Sequence, residues 1–401
     1  KIYKIINQGM ITNHISAVYH TLDLLKLAFG SGLVRSGEST HLMAIGIRAL
    51  NNNKPDVASL VVDAFRPLVR QLTPDDVVIA VNQLTLIGVT SFRKKQNFLA
   101  AKVVDCILFI MDQGTGGAEP KVLTASVKAL KVLGVLALRR RDAGLFREMN
   151  IRLSVLFAAS PRTDYLTVEI TSMLSAWLHR IIWINEPLLF TVMVDFISNL
   201  IRDDVLVGDG VEGIIDELGD AGSSACLNPH SPLTTLILDF MFTLGNNQKT
   251  MRHYARVIAI SGRVAKLSVY RHGIVKAFSS IHPLFEFGRT LLRAELKMIE
   301  SIDTTRQKIL FSVVRENLII LEYAAKQDLL GSTGETIVDV FRCWEKHPEG
   351  IMNLKSVKKY CQLLLLVWLK NKRNGKKYMP NDTAFIEPIL FSNRERQQLG
   401  I

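Results

Sequence analysis

Apolar residues recur along this chain at helical spacing, and prolines, glycines and short basic runs interrupt them at similar intervals. Ile15, Val18, Leu22, Leu25 and Phe29 form one stripe, and Val57, Leu60, Val61, Ala64, Phe65 and Leu68 form another. Thr73-Pro74, Glu119-Pro120 and Ser160-Pro161 each open an apolar run. Proline in a first helical turn loses no backbone bond that the helix would have made. At the same spacing after each proline stands a small residue: Gly88, Gly134 and Ser175. A basic cluster comes next, Arg93, Lys94 and Lys95, then Arg139, Arg140 and Arg141, then His179 and Arg180. A second apolar run follows each cluster. The interval is roughly 40–47 residues, the length of a two-helix repeat.

The pattern predicts an all-α chain of stacked antiparallel hairpins, α-solenoid-like, with hairpins over 74–112, 120–158 and 161–202. A capping helix is expected within residues 1–40 and a first repeat array over 41–202. An acidic, glycine-rich linker, mostly loop with room for one short helix, is expected over 203–232, with Asp203, Asp204, Asp209, Glu212, Asp216, Glu217 and Asp220 among five glycines. A second array over 233–370 and a basic, partly irregular tail over 371–401 complete the chain. Gly46 and Pro67 are separated as Gly262 and Pro283 are, which predicts equivalent kinked units on either side of the linker. A small residue inside a helix costs up to about 1 kcal/mol of propensity. Close helix–helix approach is the compensation expected at Gly88 and Gly134.

Composition narrows the class. With 48% hydrophobic and 21% charged residues over 401 positions, the chain can bury a large core. No run reaches the roughly 18 apolar residues that span a bilayer, and no secretory leader pattern is present. The chain begins at Lys1, as a piece of a longer protein would. Cys106, Cys226, Cys343 and Cys361 lie far apart with no CxxC, which reads as free thiols in a reducing, cytoplasmic setting.

Candidate chemistry is sparse. Gly208-Asp209-Gly210-Val211-Glu212-Gly213 has the GxGxxG spacing, but its carboxylates would repel a pyrophosphate and no βαβ pattern surrounds it. Gly331-Ser332-Thr333-Gly334 lacks the lysine of a phosphate loop. The nine histidines form no metal-ligand spacing, and no nucleophile elbow is present. No cofactor, metal or catalytic residue is expected.

The net charge of +12 carries more. In a hairpin array Lys54, Arg93, Lys94, Lys95, Arg139, Arg140, Arg141 and Arg180 would fall at the turns between first and second helices and align along one edge. Arg271 would continue that edge after the linker, and Lys372, Arg373, Lys376 and Lys377 form a second patch. Two readings stand side by side: a ridge for an anionic partner, or cations that neutralise helix C-termini. Aromatic residues that would stack on single-stranded nucleic acid are absent from these turns, apart from Phe92 and Phe98.

The Pro74/Gly88, Pro120/Gly134 and Pro161/Ser175 units resemble HEAT/armadillo-like helical arrays, closely over 40–200 and loosely beyond. The resemblance implies a non-catalytic binding scaffold and carries over no individual residue. The expected function is therefore a cytoplasmic scaffold for a protein partner. The alternatives are a module at the cytoplasmic face of a membrane, with basic edges against anionic lipid, and a nucleic-acid-binding repeat.

Overall fold

Five helical hairpins each turn on one non-glycine residue held in the left-handed backbone region: Asn13, Asn53, Lys95, Arg141 and Asn185, with φ between 53° and 61°. These turns appear in a computed structural model that describes residues 2–31, 38–114, 119–160, 163–228, 231–247, 249–253, 256–268, 270–271, 362 and 391–399. Among the described residues every regular element is helical, so the chain is all-α. The chain divides into two compact units, 1–210 and 211–401.

The first unit holds α1 (Ile2–Ile11), α2 (Ile15–Gly30), α3 (Glu38–Asn51), α4 (Pro55–Phe65), α5 (Pro74–Arg93), α6 (Asn97–Gly114), α7 (Pro120–Arg139), α8 (Ala143–Ala159), α9 (Asp164–Ile184) and α10 (Pro187–Arg202). First helices α1, α3, α5, α7 and α9 pack on one another in order, and second helices α2, α4, α6, α8 and α10 form the facing layer. This is the nearest-neighbour stacking of a helical repeat. The expected single capping helix is in fact the pair α1 and α2, a hairpin like the others.

Local chemistry sets the helix ends. Pro55, Pro74, Pro120 and Pro187 occupy first turns. Thr73 Oγ1 accepts from Asp76 N at 3.3 Å, Asp142 Oδ1 from Leu145 N at 3.1 Å and Thr163 Oγ1 from Leu166 N at 3.2 Å. The turns close with a bond from the residue after the left-handed one back into the first helix. Lys54 N reaches Ala49 O, Gln96 N reaches Ser91 O and Asp142 N reaches Ala137 O, at 2.8, 2.8 and 3.0 Å. Where a kink is expected at Pro67, α4 instead ends at Phe65 and the chain continues as the 3-10 turn Arg66–Gln71. The supposed counterpart of Pro67, Pro283, lies outside the described residues.

Gly46, Gly88 and Gly134 precede their left-handed residues by one common interval, and each faces the next hairpin. A Cβ at Gly46 would meet Ile87 Cδ1 at 3.0 Å, and one at Gly88 would meet Leu133 Cδ2 at 2.7 Å. The fourth repeat needs correction. Thr163 caps α9, so Ser160-Pro161 does not open it, and the residue equivalent to Gly134 is Leu178 rather than Ser175.

Polar bonds between neighbouring hairpins keep the same period. From Lys54 to Trp177 they span 39 to 48 residues in sequence. On the second-helix layer, Asp105 accepts from both Arg66 and Arg152 and so ties three hairpins. Lys102 Nζ donates to Asp63 at 2.6 Å and Ser59 at 2.7 Å. On the first-helix layer, Lys131 Nζ donates to Ser172 Oγ at 2.7 Å, and Trp177 Nε1 donates to Lys131 O at 3.1 Å.

The second unit corrects the acidic linker. Residues 209–225 form α11 (Asp209–Ala225), followed by α12 (Leu233–Asn246), the 3-10 turn Met251–His253 and a helical run over 256–268. Glu212, Asp216 and Asp220 stand four apart on one face of α11. Arg256 Nε donates to Asp216 at 2.8 Å, and Arg263 Nη2 to Asp220 at 3.3 Å. Gly219 and Gly222 are packing positions: a Cβ at Gly222 would meet Val264 at 3.1 Å and Ile237 at 3.3 Å. Ile214, Ile215 and Leu218 give α11 a buried face, and cations about one repeat later pair with its acidic face. In the tail, Ser392 and Glu395 form a capping box on the short helix Asn393–Leu399, with Ser392 N donating to Glu395 Oε2 at 2.7 Å.

Candidate binding sites on the first unit

The basic edge divides into two chemically different sets. Lys54, Lys94 and Arg140 reach back to the preceding hairpin. Lys54 Nζ donates to Met10 O at 2.7 Å and Asn13 Oδ1 at 3.1 Å. Lys94 Nζ donates to Leu50 O at 2.6 Å and Asn53 Oδ1 at 2.7 Å. Arg140 Nη2 donates to Phe92 O at 2.7 Å. Each places positive charge on carbonyls at the C-terminal end of the neighbouring first helix, where the helix dipole favours it. These three cations are rungs between repeats.

Lys95 and Arg141 are the left-handed turn residues themselves, and both are exposed. Arg93 and Arg139 end α5 and α7. With Phe92, Leu136 and Arg140 they line an open cleft of about 290 Å³. Arg180 departs from its expected place. The turn of its hairpin is at Asn185, and Arg180 stands inside α9, its guanidinium 4.1 Å from the centre of the Trp183 ring. Burial, and after it the Arg139 charge, push Arg180 below the ordinary arginine value. Arg271 is exposed in the second unit. Lys372, Arg373, Lys376 and Lys377 lie outside the described residues. Phe92 is buried beneath the turn, whereas Phe98 is 76% exposed.

A second cleft, of about 310 Å³, opens between α8 and α10. Arg147, Asn150, Ile151 and Ser154 face Val192, Asp195, Phe196 and Asn199 across it. Asn150 is 3% exposed, and neither its Oδ1 nor its Nδ2 has a hydrogen-bond partner. Beside it Ile151 and Val155 are 59% and 67% exposed. Sequence reading passed over Asn150, although it interrupts the apolar stripe of Leu145, Phe146, Met149 and Leu153. A carboxamide on such a stripe is the available signal.

Among the described residues no group of His, Cys, Asp and Glu is arranged to hold a metal ion, and no helix is long and apolar enough to cross a membrane. Cys106 and Cys226 are buried. The GxGxxG segment lies within the first turns of α11 from Asp209 onward, and Gly208 before it is in the left-handed region at φ 51°.

No protein-family model and no curated protein matches this chain. A solved structure described as "Circular tandem repeat protein with novel repeat topology and enhanced subunit contact surfaces" is similar at 12% sequence identity, over 94% of this chain and 97% of that one, with a TM-score of 0.33. The repeat architecture rests on this chain's own contacts, hairpin on hairpin.

Proposed function

We propose that the chain is a non-catalytic helical-repeat scaffold that binds a protein partner through the α8–α10 face. The observation that carries this reading is Asn150, a buried carboxamide with both polar atoms unpaired at a cleft. A buried amide without a hydrogen-bond partner in the chain costs stability, and a partner that supplies a donor and an acceptor recovers that loss. Exposed Ile151 and Val155 next to it offer the apolar contact that surrounds polar anchors in protein interfaces. Arg147 and Asp195 at the same cleft give the partner one cation and one carboxylate to match. The buried free thiol of Cys106 fits the reducing, cytoplasmic setting in which we place this scaffold.

Photo-crosslinking tests the reading. A benzophenone side chain at Ile151 or Val155 is expected to capture one defined protein, competed by unlabelled wild type and lost in the Asn150→Leu variant. The same probe at Val132, on the first-helix layer, is expected to miss it. Identical adducts from both layers would overturn the assignment.

A further inference from the structure

We propose that the cleft formed by the ends of α5 and α7 is a phosphoryl-group site that takes a phosphorylated side chain of a partner protein. It lies at the hairpin turns, and neither this site nor the α8–α10 face depends on the other.

Arg93, Arg139 and Arg140 line the cleft over an apolar base of Phe92 and Leu136. The bond from Arg140 Nη2 to Phe92 O, at 2.7 Å, fixes the direction of that guanidinium and leaves other N–H groups of its fork free. Arg93 and Arg139 make no hydrogen bond or ion pair with the described residues. The carboxylate of the adjacent turn, Asp142, is turned to Leu145 N. Beyond Arg139 lies Arg180, held on Trp183, with its Nε buried and unpartnered. Three successive hairpins thus bring like charges toward one another.

A dianion offsets that repulsion. A phosphorylated side chain carries about −1.5 to −2 charge and three acceptor oxygens, and guanidinium forks bind such oxygens in pairs. A single carboxylate supplies one charge and two oxygens.

The internal bonds of the edge favour a compact ligand over a polyanion. Lys54 and Lys94 are already bonded to carbonyls of the preceding hairpin, so the unbonded cations of this edge gather at the cleft and at the exposed turn residues Lys95 and Arg141 beside it. A nucleic-acid strand or a bilayer surface would use charge spread along the whole edge. Trp183, 74% exposed beside Arg180, offers an apolar ring to the residues flanking a phosphorylated position.

The test uses the full chain and a degenerate peptide library built around a fixed phosphoserine, with matched serine and glutamate libraries. The phosphoserine library is expected to be retained about tenfold or more over serine, and millimolar inorganic phosphate should compete. Arg93→Gln with Arg139→Gln should remove that preference while the melting midpoint is unchanged. Arg93→Lys with Arg139→Lys, which keeps the charge but loses the fork, should restore only part of it. Equal retention of serine and phosphoserine, or full binding by the folded Gln variant, would overturn the proposal. Arginine-dependent binding to phosphoinositide vesicles or single-stranded RNA, without phosphopeptide binding, would overturn it in favour of a lipid or nucleic-acid ligand.

Discussion

The indole of Trp177 fills the space that a side chain on Gly134 would need. A Cβ there would fall 2.6 Å from Cζ2 and closer still to Cε2 and Nε1. Trp177 is fully buried, meets Phe146 edge-on at 5.1 Å between ring centres and bonds to Lys131 O. It therefore has no free direction of retreat. Gly134→Leu is expected to destabilise the chain by overpacking, by about 1–3 kcal/mol or more, read from denaturant midpoints. Gly134→Leu combined with Trp177→Ala should recover part of that loss, because the second change opens the space the first one needs. Equal stability of wild type and Gly134→Leu would contradict the packing described here.

The lysine rungs carry a second expectation. Lys94→Met keeps the aliphatic stem and removes the bonds to Leu50 O and Asn53 Oδ1. Each such change at Lys54 or Lys94 should cost about 0.5–1.5 kcal/mol. Changes at exposed Lys95 should cost less, as long as the replacement accepts its left-handed backbone; Asn and Gly do. Thermal midpoints of Lys94→Met and Lys95→Asn compared side by side decide this, and equal losses would mean that the rungs contribute nothing.

Much of the repeat was readable because its causes are local. Pro74 and Pro120 fix helix starts, Gly88 and Gly134 fix close approach, and Lys94 and Arg140 fall where hairpins turn. What escaped depends on partners one repeat away. Pro161 imitates a helix start, yet Thr163 provides the cap, so the register of α9 slipped and Ser175 stood in for Leu178. The carboxylates of α11 looked like a solvated loop because Arg256 and Arg263 come about a repeat later. Lys54 and Lys94 looked available because their acceptors are main-chain carbonyls, which no side-chain pattern displays. Asn150 was written plainly on an apolar stripe, but only its surroundings show that it is unpaired.

Burial pushes the Cys106 thiol up to about 12 from 9.0, against the opposing pull of Arg66. The folded chain should therefore leave Cys106 unmodified by iodoacetamide at pH 8, and modification should follow global unfolding. The folded value lies above the unfolded one, so this thiol's contribution is complete below about pH 9 and is lost as pH rises toward 12. Cys106→Val should accordingly lose less stability than wild type between those limits. Rapid labelling of Cys106 in the native protein, or identical alkaline slopes for the two chains, would show that the thiol is not held in this way.

Asn150 separates a site maintained for binding from a flaw in packing. Leucine has the same branched four-atom skeleton and no polar atoms, and the adjoining cleft gives room for its methyl groups, so Asn150→Leu removes two unpaired groups from a buried position. The variant is expected to be more stable than wild type by about 1–2 kcal/mol, and to lose the partner captured from positions 151 and 155. Those two effects together mark a residue kept at a cost to the fold. Asn150→Asp gives the converse: a carboxylate buried in the cleft it shares with Arg147 and Asp195 should destabilise the chain near neutral pH and relax as pH falls and the group is protonated. Calorimetric scans of the three chains at pH 5 and pH 7, beside the crosslinking yield, read both quantities. A lower melting midpoint for Asn150→Leu with undiminished crosslinking would mean that the carboxamide is satisfied by solvent and serves the fold, and the α8–α10 face would lose its claim as the binding surface.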